Sequence, residues 1–519
     1  MTAAEVDAGP EDRSRGWLPP LYPIILAMGM VLAIIMQSGG SPYAAVRVFA
    51  GFMLGAVLIC VLARALLGTR DRAGVAATLV IVLVFAGPDP RIAALVLFAL
   101  GIVVAERIAS ARFRLRVPWA LAGRVLNAGS VIILVAVFMR SATDGSLGPF
   151  VGALVNEAPF LARGSSPVTP AASSPDVYLI ILDGHARPDK LDSIFGYQSA
   201  FPGQLQERGF EVASGSRSNY LLTAQSLPSL LNMGHVADIV DRETAVASPF
   251  GYTSEVRRLA SHSRVFDRFR DAGYDVIAVA SGFEEVALRG ADRFIDTGQI
   301  NELELRTLGS TMVARVIQAV DPEWFADQHR SRVVSVFDAT TNVARELHDR
   351  PRFVLAHVPS PHAPIVFRSD GSAEPMSDVP NFFDDTFEHR SIPRAAALSQ
   401  YAGQVQHVDN LVLPVIDQIL ATQRPAVVLV ASDHGSAAGL RWSDLERSDL
   451  DERTAILFAA YTPEQRNVFP PDISLVNVFG YLFQTYFGDA FTPQPDTAYR
   501  WKDVFLDLVP IDLPTPSSR

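Results

Sequence analysis

Cysteine is almost absent from this chain: Cys60 is the only one among 519 residues. No intramolecular disulfide can form, and a structural zinc site built on cysteines is excluded. Lysine is nearly as scarce, with Lys190 and Lys502 standing against 42 arginines. That reads as compositional bias, not as chemistry. Charged residues make up 19% of the chain, below the roughly 25% usual in soluble proteins, so part of the chain is expected to live in lipid. Positive charge is not in excess either. A formal net charge of −11 argues against a nucleic-acid binder, whose footprint is a basic face. A P-loop, a GxGxxG fingerprint and an internal repeat are all missing, which removes the common nucleotide-binding readings.

The hydrophobic residues are unevenly spread. Five apolar runs fall within 1–140, at 21–36, 43–67, 73–86, 92–105 and 125–139. A spanning helix needs about 20 mostly apolar residues. The second run meets that alone, and the first and fifth meet it with their flanks. The third and fourth are short enough to form a re-entrant hairpin instead, so the expectation is five crossings or three. Arginines mark the cytoplasmic side. Arg13 and Arg15, then Arg64, Arg70 and Arg72, then Arg107, Arg112, Arg114, Arg116 and Arg124 occupy alternate loops, while 38–42 is uncharged and the third loop has only Asp89 and Arg91. The N-terminus is expected inside and everything after Met139 outside. Four more runs after the first favour an anchor over a cleaved signal peptide. Gly51 and Gly55 form a GxxxG in the second run, a weak packing signal, and Arg47 is expected to snorkel to the outer surface.

Residues 141–175 carry Gly, Ser, Pro and Ala with little periodicity, and 164–175 (GSSPVTPAASSP) reads as a flexible spacer. From Asp176 the pattern changes. Continuous apolar runs of strand length occur at 177–182, 275–280, 353–357 and 426–431, as expected of strands buried on both faces. Helical patterns lie between them. In 395–420, Tyr401, Val405, Val408, Val412 and Val415 share one face, with Pro414 as a candidate kink. The expected organisation is a multi-span α-helical membrane domain over 1–140, a linker over 141–175, and an extracytoplasmic α/β domain with a mainly parallel sheet over 176–519.

Ligands of open α/β sheets bind at the carboxyl ends of the strands. Three of the four apolar runs end in reactive residues: Asp183-Gly184, then His357 with His362 five residues on, then Ser432-Asp433-His434-Gly435. A carboxylate and an Asp-His pair converging on one sheet edge make a divalent metal site, with zinc or manganese suited to those donors. The nucleophile candidate is Thr223, placed where a helix starts and expected as its N-cap, with a phosphoryl group over the helix N-terminus. Each residue has a plainer reading. Asp-Gly is a common turn, Thr223 caps without reacting, and Ser218 or Ser226 is the nucleophile instead. His185 approaches the ligand or sits on a surface turn, Asp409-Asn410 supports the site or is a helix-surface pair, His407 packs or caps, and Arg453 holds a substrate anion or pairs with Glu452 or its neighbours. The acidic segment 369–385 is a lid or a surface insertion.

These motifs, in this order, resemble the alkaline phosphatase superfamily in its sulfatase-like branch. With the apolar N-terminal third, the whole chain resembles lipoteichoic acid synthases and bacterial phosphoethanolamine transferases. The resemblance implies that Asp183, Thr223, Asp433 and His434 hold one metal ion. It implies that Thr223 is the covalently modified nucleophile, and that His357 and His362 bind phosphoryl oxygens or protonate the leaving group. Formylglycine-dependent sulfatases carry C/S-x-P-x-R where this chain reads Thr223-Ala224-Gln225-Ser226-Leu227, which argues against that mechanism. Asp183-Gly184 replaces the paired aspartates of those enzymes, which argues for one metal. The histidine that phosphoethanolamine transferases carry after Asp-His-Gly is absent from 436–442.

The expected function is transfer of a phospho-head-group, of phosphoglycerol or phosphoethanolamine type, from a membrane lipid donor to an envelope glycan or lipid acceptor. The rivals are a phosphodiesterase, phosphatase or sulfatase-like hydrolase with the same site, and an inactive envelope scaffold. A transporter is weaker still, because the span interiors lack acidic residues.

Overall fold

Asp176–Leu182 forms β1, and all seven of its residues are buried. Val177, Leu179 and Ile181 point into one apolar layer, Tyr178, Ile180 and Leu182 into another. A strand covered on both faces has no polar side to show, hence the unbroken apolar run. The same holds for β5 (Arg352–Val358) and β6 (Ala426–Ala431). The structure is a computed structural model and describes residues 20–87, 90–113, 117–157, 174–246, 251–376, 387, 392–502 and 507–513. Most of the 164–175 spacer, the 377–385 part of the acidic segment, and Arg13, Arg15, Asp89, Arg114 and Arg116 lie outside these.

The described chain forms two compact units, Met1–Val151 with Leu303–Val320, and Gly152–Glu302 with Asp321–Arg519. The second unit holds a seven-stranded sheet. With β2 at Glu211–Val212, β3 at Asp275–Val279, β4 at Arg293–Ile295 and β7 at Phe458–Tyr461, the order is β2-β7-β6-β1-β5-β3-β4. The pairs from β6 through β4 are parallel, while β7 and β2 join antiparallel at one edge. One face is covered by the helices Thr223–Asn232, Arg264–Asp271 and Val478–Phe487. The other is covered by Trp324–Arg345 and the long helix Arg394–Leu420, where Val408, Val412 and Ile416 pack inward. Pro414 lies inside that helix without ending it.

The first unit is helical: α1 Tyr22–Ser38, α2 Val46–Leu67, α3 Arg70–Phe85, α4 Pro90–Phe113 and α5 Trp119–Thr143. Among the described residues, three helical stretches are long and apolar enough to cross a membrane, Pro42–Leu67, Pro90–Ser110 and Trp119–Thr143, and α1 is a shorter apolar helix. The fourth run is therefore longer than its apolar residues alone implied. Glu106 does not interrupt α4, because charge costs a helix little when the side chain finds partners. Glu106 takes Arg72 at 2.8 Å and the indole N–H of Trp119 at 3.1 Å. Arg47 does not snorkel freely, since its guanidinium pairs with Glu304. The stretch read as an unstructured linker contains a further helix, α6 Leu147–Asn156. Leu147, Val151 and Leu154 recur at helical spacing there, and Pro149 falls in the first turn, where its missing N–H costs nothing.

Phe269 tests the core. It is fully buried, stacks on Phe353 with ring centroids 4.2 Å apart and meets Phe479, Phe483 and Phe487 edge-on. Phe269→Ala is expected to cost about 3–5 kcal/mol, read as a lowered denaturant midpoint of the full-length protein. An unchanged midpoint would mean that this layer does not carry the fold.

Candidate active site

Because β1 lies between β5 and β6, the carboxyl ends of three strands converge. Ile181 is in register with both His357 and Ala431. Asp183 follows one strand, His357 ends another, and Asp433 follows the third. The peptide N–H of Gly184 donates to Asp433 Oδ1 at 3.1 Å, tying two of these ends together. Gly184 has φ +71°, and a Cβ there would stand 3.4 Å from His362 and 3.5 Å from His434. Only glycine makes that turn without strain. At Gly435 a Cβ would lie 2.3 Å from the carbonyl oxygen of Glu452, so no side chain fits there.

Asp183 is 6% exposed and Asp433 fully buried. Asp183 Oδ2 faces His357 Nε2 at 3.2 Å. Burial by itself raises the Asp183 pKa, but His362 and His357 outweigh it and hold the carboxyl below its usual range. His434 Nδ1 faces the carbonyl of Gly435 at 3.0 Å. A carbonyl only accepts, so Nδ1 carries the proton and Nε2 presents its lone pair. Burial, then the charge of Arg453, keeps that ring neutral.

His434 Nε2 stands 3.5 Å from Asp183 Oδ1, 3.5 Å from Asp433 Oδ2 and 3.4 Å from Thr223 Oγ1. An ion bound tetrahedrally at about 2.0–2.1 Å holds its ligand atoms about 3.3 Å apart. Asp183 Oδ1 and Asp433 Oδ2 are buried and accept no hydrogen bond, a costly state for carboxylate oxygens unless a cation serves them. A neutral histidine oriented by a backbone carbonyl is also the usual state of a metal-bound imidazole. The residues therefore fit a divalent ion. A second group, Asp183 with His357 and Asp433, is also close enough for one.

Thr223 is buried, and it begins the helix Thr223–Asn232 instead of capping it. Leu222 occupies the cap position and no side chain caps the end. The Thr223 hydroxyl is turned to His434 and does not serve the backbone. Ser218 and Ser226 are bonded to each other at 3.0 Å, and Ser218 Oγ donates to the Tyr220 carbonyl, so neither hydroxyl faces the cluster. His362 is partly buried, its ring centroid 5.7 Å from that of His434 and its Nδ1 2.7 Å from the Ala363 carbonyl. Arg453 does not turn toward its neighbour Glu452. Its Nε donates to the Leu221 carbonyl at 2.8 Å, Nη1 to Gly435 O at 3.2 Å, and Nη2 lies 3.3 Å from His434 Nε2. Glu452 instead accepts from Ser436 Oγ and the N–H groups of Ala438 and Gly439.

Of the two readings open for His185 and for Asp409, the surface one falls. His185 and Asp409 are both buried and meet at 2.9 Å. The helix face that looked exposed at Asp409 is covered by the loop after β1. His185 Nδ1 also faces a carbonyl, that of Ala186, so the pair carries at least one proton between its facing atoms. His407 packs on Phe367, ring centroids 4.7 Å apart.

Sequence reasoning missed two residues of the long helix. The Tyr401 hydroxyl donates to Gly184 O at 2.7 Å and accepts from Ala186 N at 3.0 Å. Gln404 accepts from Val366 N and Phe367 N and donates toward the carbonyls of Pro361, His362 and Pro364. The available signal was a glutamine and an aspartate interrupting an apolar stripe. A buried polar group needs partners, and here the partners are the site loops.

A parallel α/β sheet here brings buried carboxylates and histidines to its strand ends, with a helix-borne hydroxyl beside them, an arrangement whose donors fit a divalent ion. The sulfatase family model matches residues 175–454, more than half of the chain, and the chain belongs to that family. It is an enzyme of the sulfatase-like alkaline phosphatase superfamily, with phosphoryl- or sulfuryl-transfer chemistry. No curated protein matches it. Solved structures resemble it distantly. The C-terminal periplasmic domain of EcEptC from Escherichia coli is 12% identical over 67% of this chain and 96% of that one, with TM-score 0.40. The integral membrane lipooligosaccharide phosphoethanolamine transferase A from Neisseria meningitidis is 16% identical over 76% and 75%, with TM-score 0.38. A putative sulfatase from Bacteroides thetaiotaomicron is 14% identical over 63% and 78%, with TM-score 0.39.

Two measurements test the site. Asp433→Asn removes a ligand charge and is expected to lower bound divalent metal at least tenfold, by elemental analysis of the purified full-length protein. Undiminished metal would exclude Asp433 as a ligand. Tyr401→Phe leaves Gly184 O and Ala186 N without their partner, at about 1–3 kcal/mol each. Its thermal midpoint should fall and its metal affinity with it; a fall in midpoint alone would leave Tyr401 a purely structural residue.

Proposed function

We propose that this is a membrane-anchored, metal-dependent phosphotransferase. In this reading residues 1–140 are the membrane domain and 176–519 the catalytic domain, on the outer side of the plasma membrane. The observation that carries it is the Thr223 hydroxyl at a helix N-terminus, 3.4 Å from His434 Nε2 and beside two buried carboxylates. The donor is a phosphodiester in a lipid head group, of phosphoglycerol or phosphoethanolamine type, and the acceptor is an envelope glycan or lipid hydroxyl.

Thr223 Oγ attacks phosphorus and the bond to the diacylglycerol oxygen breaks. The phospho-head-group stays on Thr223 and diacylglycerol leaves with a proton. An acceptor hydroxyl then attacks the same phosphorus, its proton is taken up, and Thr223 is released. Two in-line displacements retain configuration at phosphorus. A zinc or manganese ion on Asp183, Thr223, Asp433 and His434, when bound, lowers the pKa of the hydroxyl and draws off phosphoryl charge. His362 is the proton carrier: the Ala363 carbonyl holds Nδ1–H, so the other nitrogen exchanges the proton. His357 steadies Asp183 through Oδ2, leaving Oδ1 for the site. Arg453 fixes the Leu221 carbonyl, two residues before Thr223, and the Gly435 carbonyl, next to His434, and adds a fixed positive charge that favours a phosphoryl anion. The anchor keeps an enzyme and a lipid substrate in one bilayer. Threonine at the nucleophile position supports phosphoryl transfer over formylglycine chemistry, which starts from cysteine or serine.

Full-length protein incubated with defined lipids and divalent metal should carry a phosphate-containing adduct on the peptide holding Thr223, absent from Thr223→Ala, by mass spectrometry. Lipid turnover with metal bound but an unmodified Thr223 peptide, or an adduct surviving in Thr223→Ala, would overturn the covalent mechanism. Turnover that ignores every added acceptor would favour the hydrolase.

A further inference from the structure

The polar contacts of Arg453 lie at the rim of its guanidinium. Nε donates to the Leu221 carbonyl, Nη1 to that of Gly435, and Nη2 lies 3.3 Å from His434 Nε2. Guanidinium donors point outward in the plane of the group, so these contacts do not by themselves fix it against displacement out of that plane. Arg453 Cζ lies over the Trp442 ring, 5.6 Å from its centroid, within reach of a cation–π contact. Trp501 stacks on Trp442 in turn, with centroids 5.5 Å apart and planes 18° from parallel. The indole N–H of Trp442 is buried without a hydrogen bond, so stacking and apolar packing hold the ring, not a polar anchor.

The same side chains close on the segment that leads into the nucleophile. Trp442 and Trp501 pack in one apolar cluster with Leu221 and Leu440, and Leu221 supplies the carbonyl that Arg453 Nε meets. Trp501 belongs to a two-stranded ribbon, Tyr499–Trp501 against Leu508–Pro510, beyond residue 454 where the family match ends. Tyr499 N donates to Asn219 O at 2.9 Å, and Asn219 Nδ2 donates to Thr497 O at 3.0 Å. The ribbon is thus bonded to the chain four residues before Thr223.

The metal site gives this stack a task. When His434 Nε2 gives its lone pair to a metal ion, Arg453 Nη2 loses that acceptor, and a second cation stands near the guanidinium. The two carbonyls still hold Nε and Nη1. The negative π-face of Trp442 favours the cation as a whole and takes up none of its donors, which leaves Nη2 for an oxygen of the phosphoryl group.

We propose that Trp442, backed by Trp501, is a positioning residue that holds the Arg453 guanidinium at the metal site with Nη2 turned to the phosphoryl oxygens of the substrate. It rests on the reading of Arg453 as the group that favours a phosphoryl anion.

The test is a double-mutant cycle on the full-length, zinc-loaded protein, with inorganic phosphate as the probe and its affinity read by isothermal titration calorimetry. Trp442→Leu should weaken phosphate about three- to thirtyfold, the range of a cation–π contact, with zinc content unchanged, and Trp442→Phe should recover most of the loss. In an Arg453→Met background Trp442→Leu should change phosphate affinity by less than about twofold, because its effect passes through the guanidinium. An equal loss in both backgrounds would make Trp442 a packing residue and overturn the proposal, as would no loss in either. If Arg453→Met binds zinc and phosphate as the unaltered protein does, the reading of Arg453 fails and this inference with it. Zinc-loaded protein that takes up no phosphate would overturn the anion site itself. Should Trp442→Leu not fold, Trp501→Leu takes its place in the cycle, with a smaller expected loss of about two- to fivefold and the same criterion.

Discussion

The site depends on keeping one carboxylate ionised inside the protein. Asp183 lies at the end of the central strand, almost fully buried, where its charge is expensive unless other groups answer it. His357, from the end of β5, and His362, from the loop after it, do so. Neither is near Asp183 in sequence. The sheet order brings them there, with β1 between β5 and β6 so that equal registers end at one level. Had β1 been an edge strand, it would have had one neighbour to meet and not two.

The long helix Arg394–Leu420 turns that arrangement into a defined geometry. Its apolar face carries the load of packing, through Val408, Val412 and Ile416. Toward its N-terminal half the same helix offers Tyr401, Gln404 and Asp409. Each is buried and each is spent on a loop: the first on 184–186, the second on 361–367, the third on His185. These loops present Gly184 and His362. Loop backbone groups at a buried site must find partners somewhere, and here one rigid element supplies them. From the other side Arg453 does the same for the carbonyls of Leu221 and Gly435. Side chains that are to hold a metal ion need such support, because ligand placement decides affinity.

In the helical unit, charges that looked like topology signals are also structural. Arg72 and Glu106 pair at 2.8 Å with both side chains nearly buried, and Arg47 pairs with Glu304 from a distant part of the sequence. The two roles are compatible, since the positive-inside rule counts arginines near helix ends and says nothing about their partners. The pairing with Glu304 also shows that the catalytic sequence is not one uninterrupted block: between Glu302 and Asp321 it contributes to the helical unit.

Local sequence determined whatever depends on local physics. Apolar runs of strand length on both faces can only be buried strands, and four of them stand where the sheet has β1, β3, β5 and β6. Runs of membrane-helix length, with arginines between them, mark the N-terminal third. The reactive residues at strand ends, Asp183, His357, Asp433 and His434, were legible because the end of a buried strand is where such an α/β sheet exposes side chains. Only the tertiary structure decided the rest. Burial decided between the readings open for Asp409 and His185 and made them a bonded pair, and it aimed Arg453 at His434 and away from Glu452. The hydroxyl of Thr223 faces the cluster and not its own helix end, and Glu304 crosses to Arg47. In each case a polar side chain chose among partners far apart in the chain. Periodicity carries no record of that choice, because it is made by whichever groups folding leaves without water.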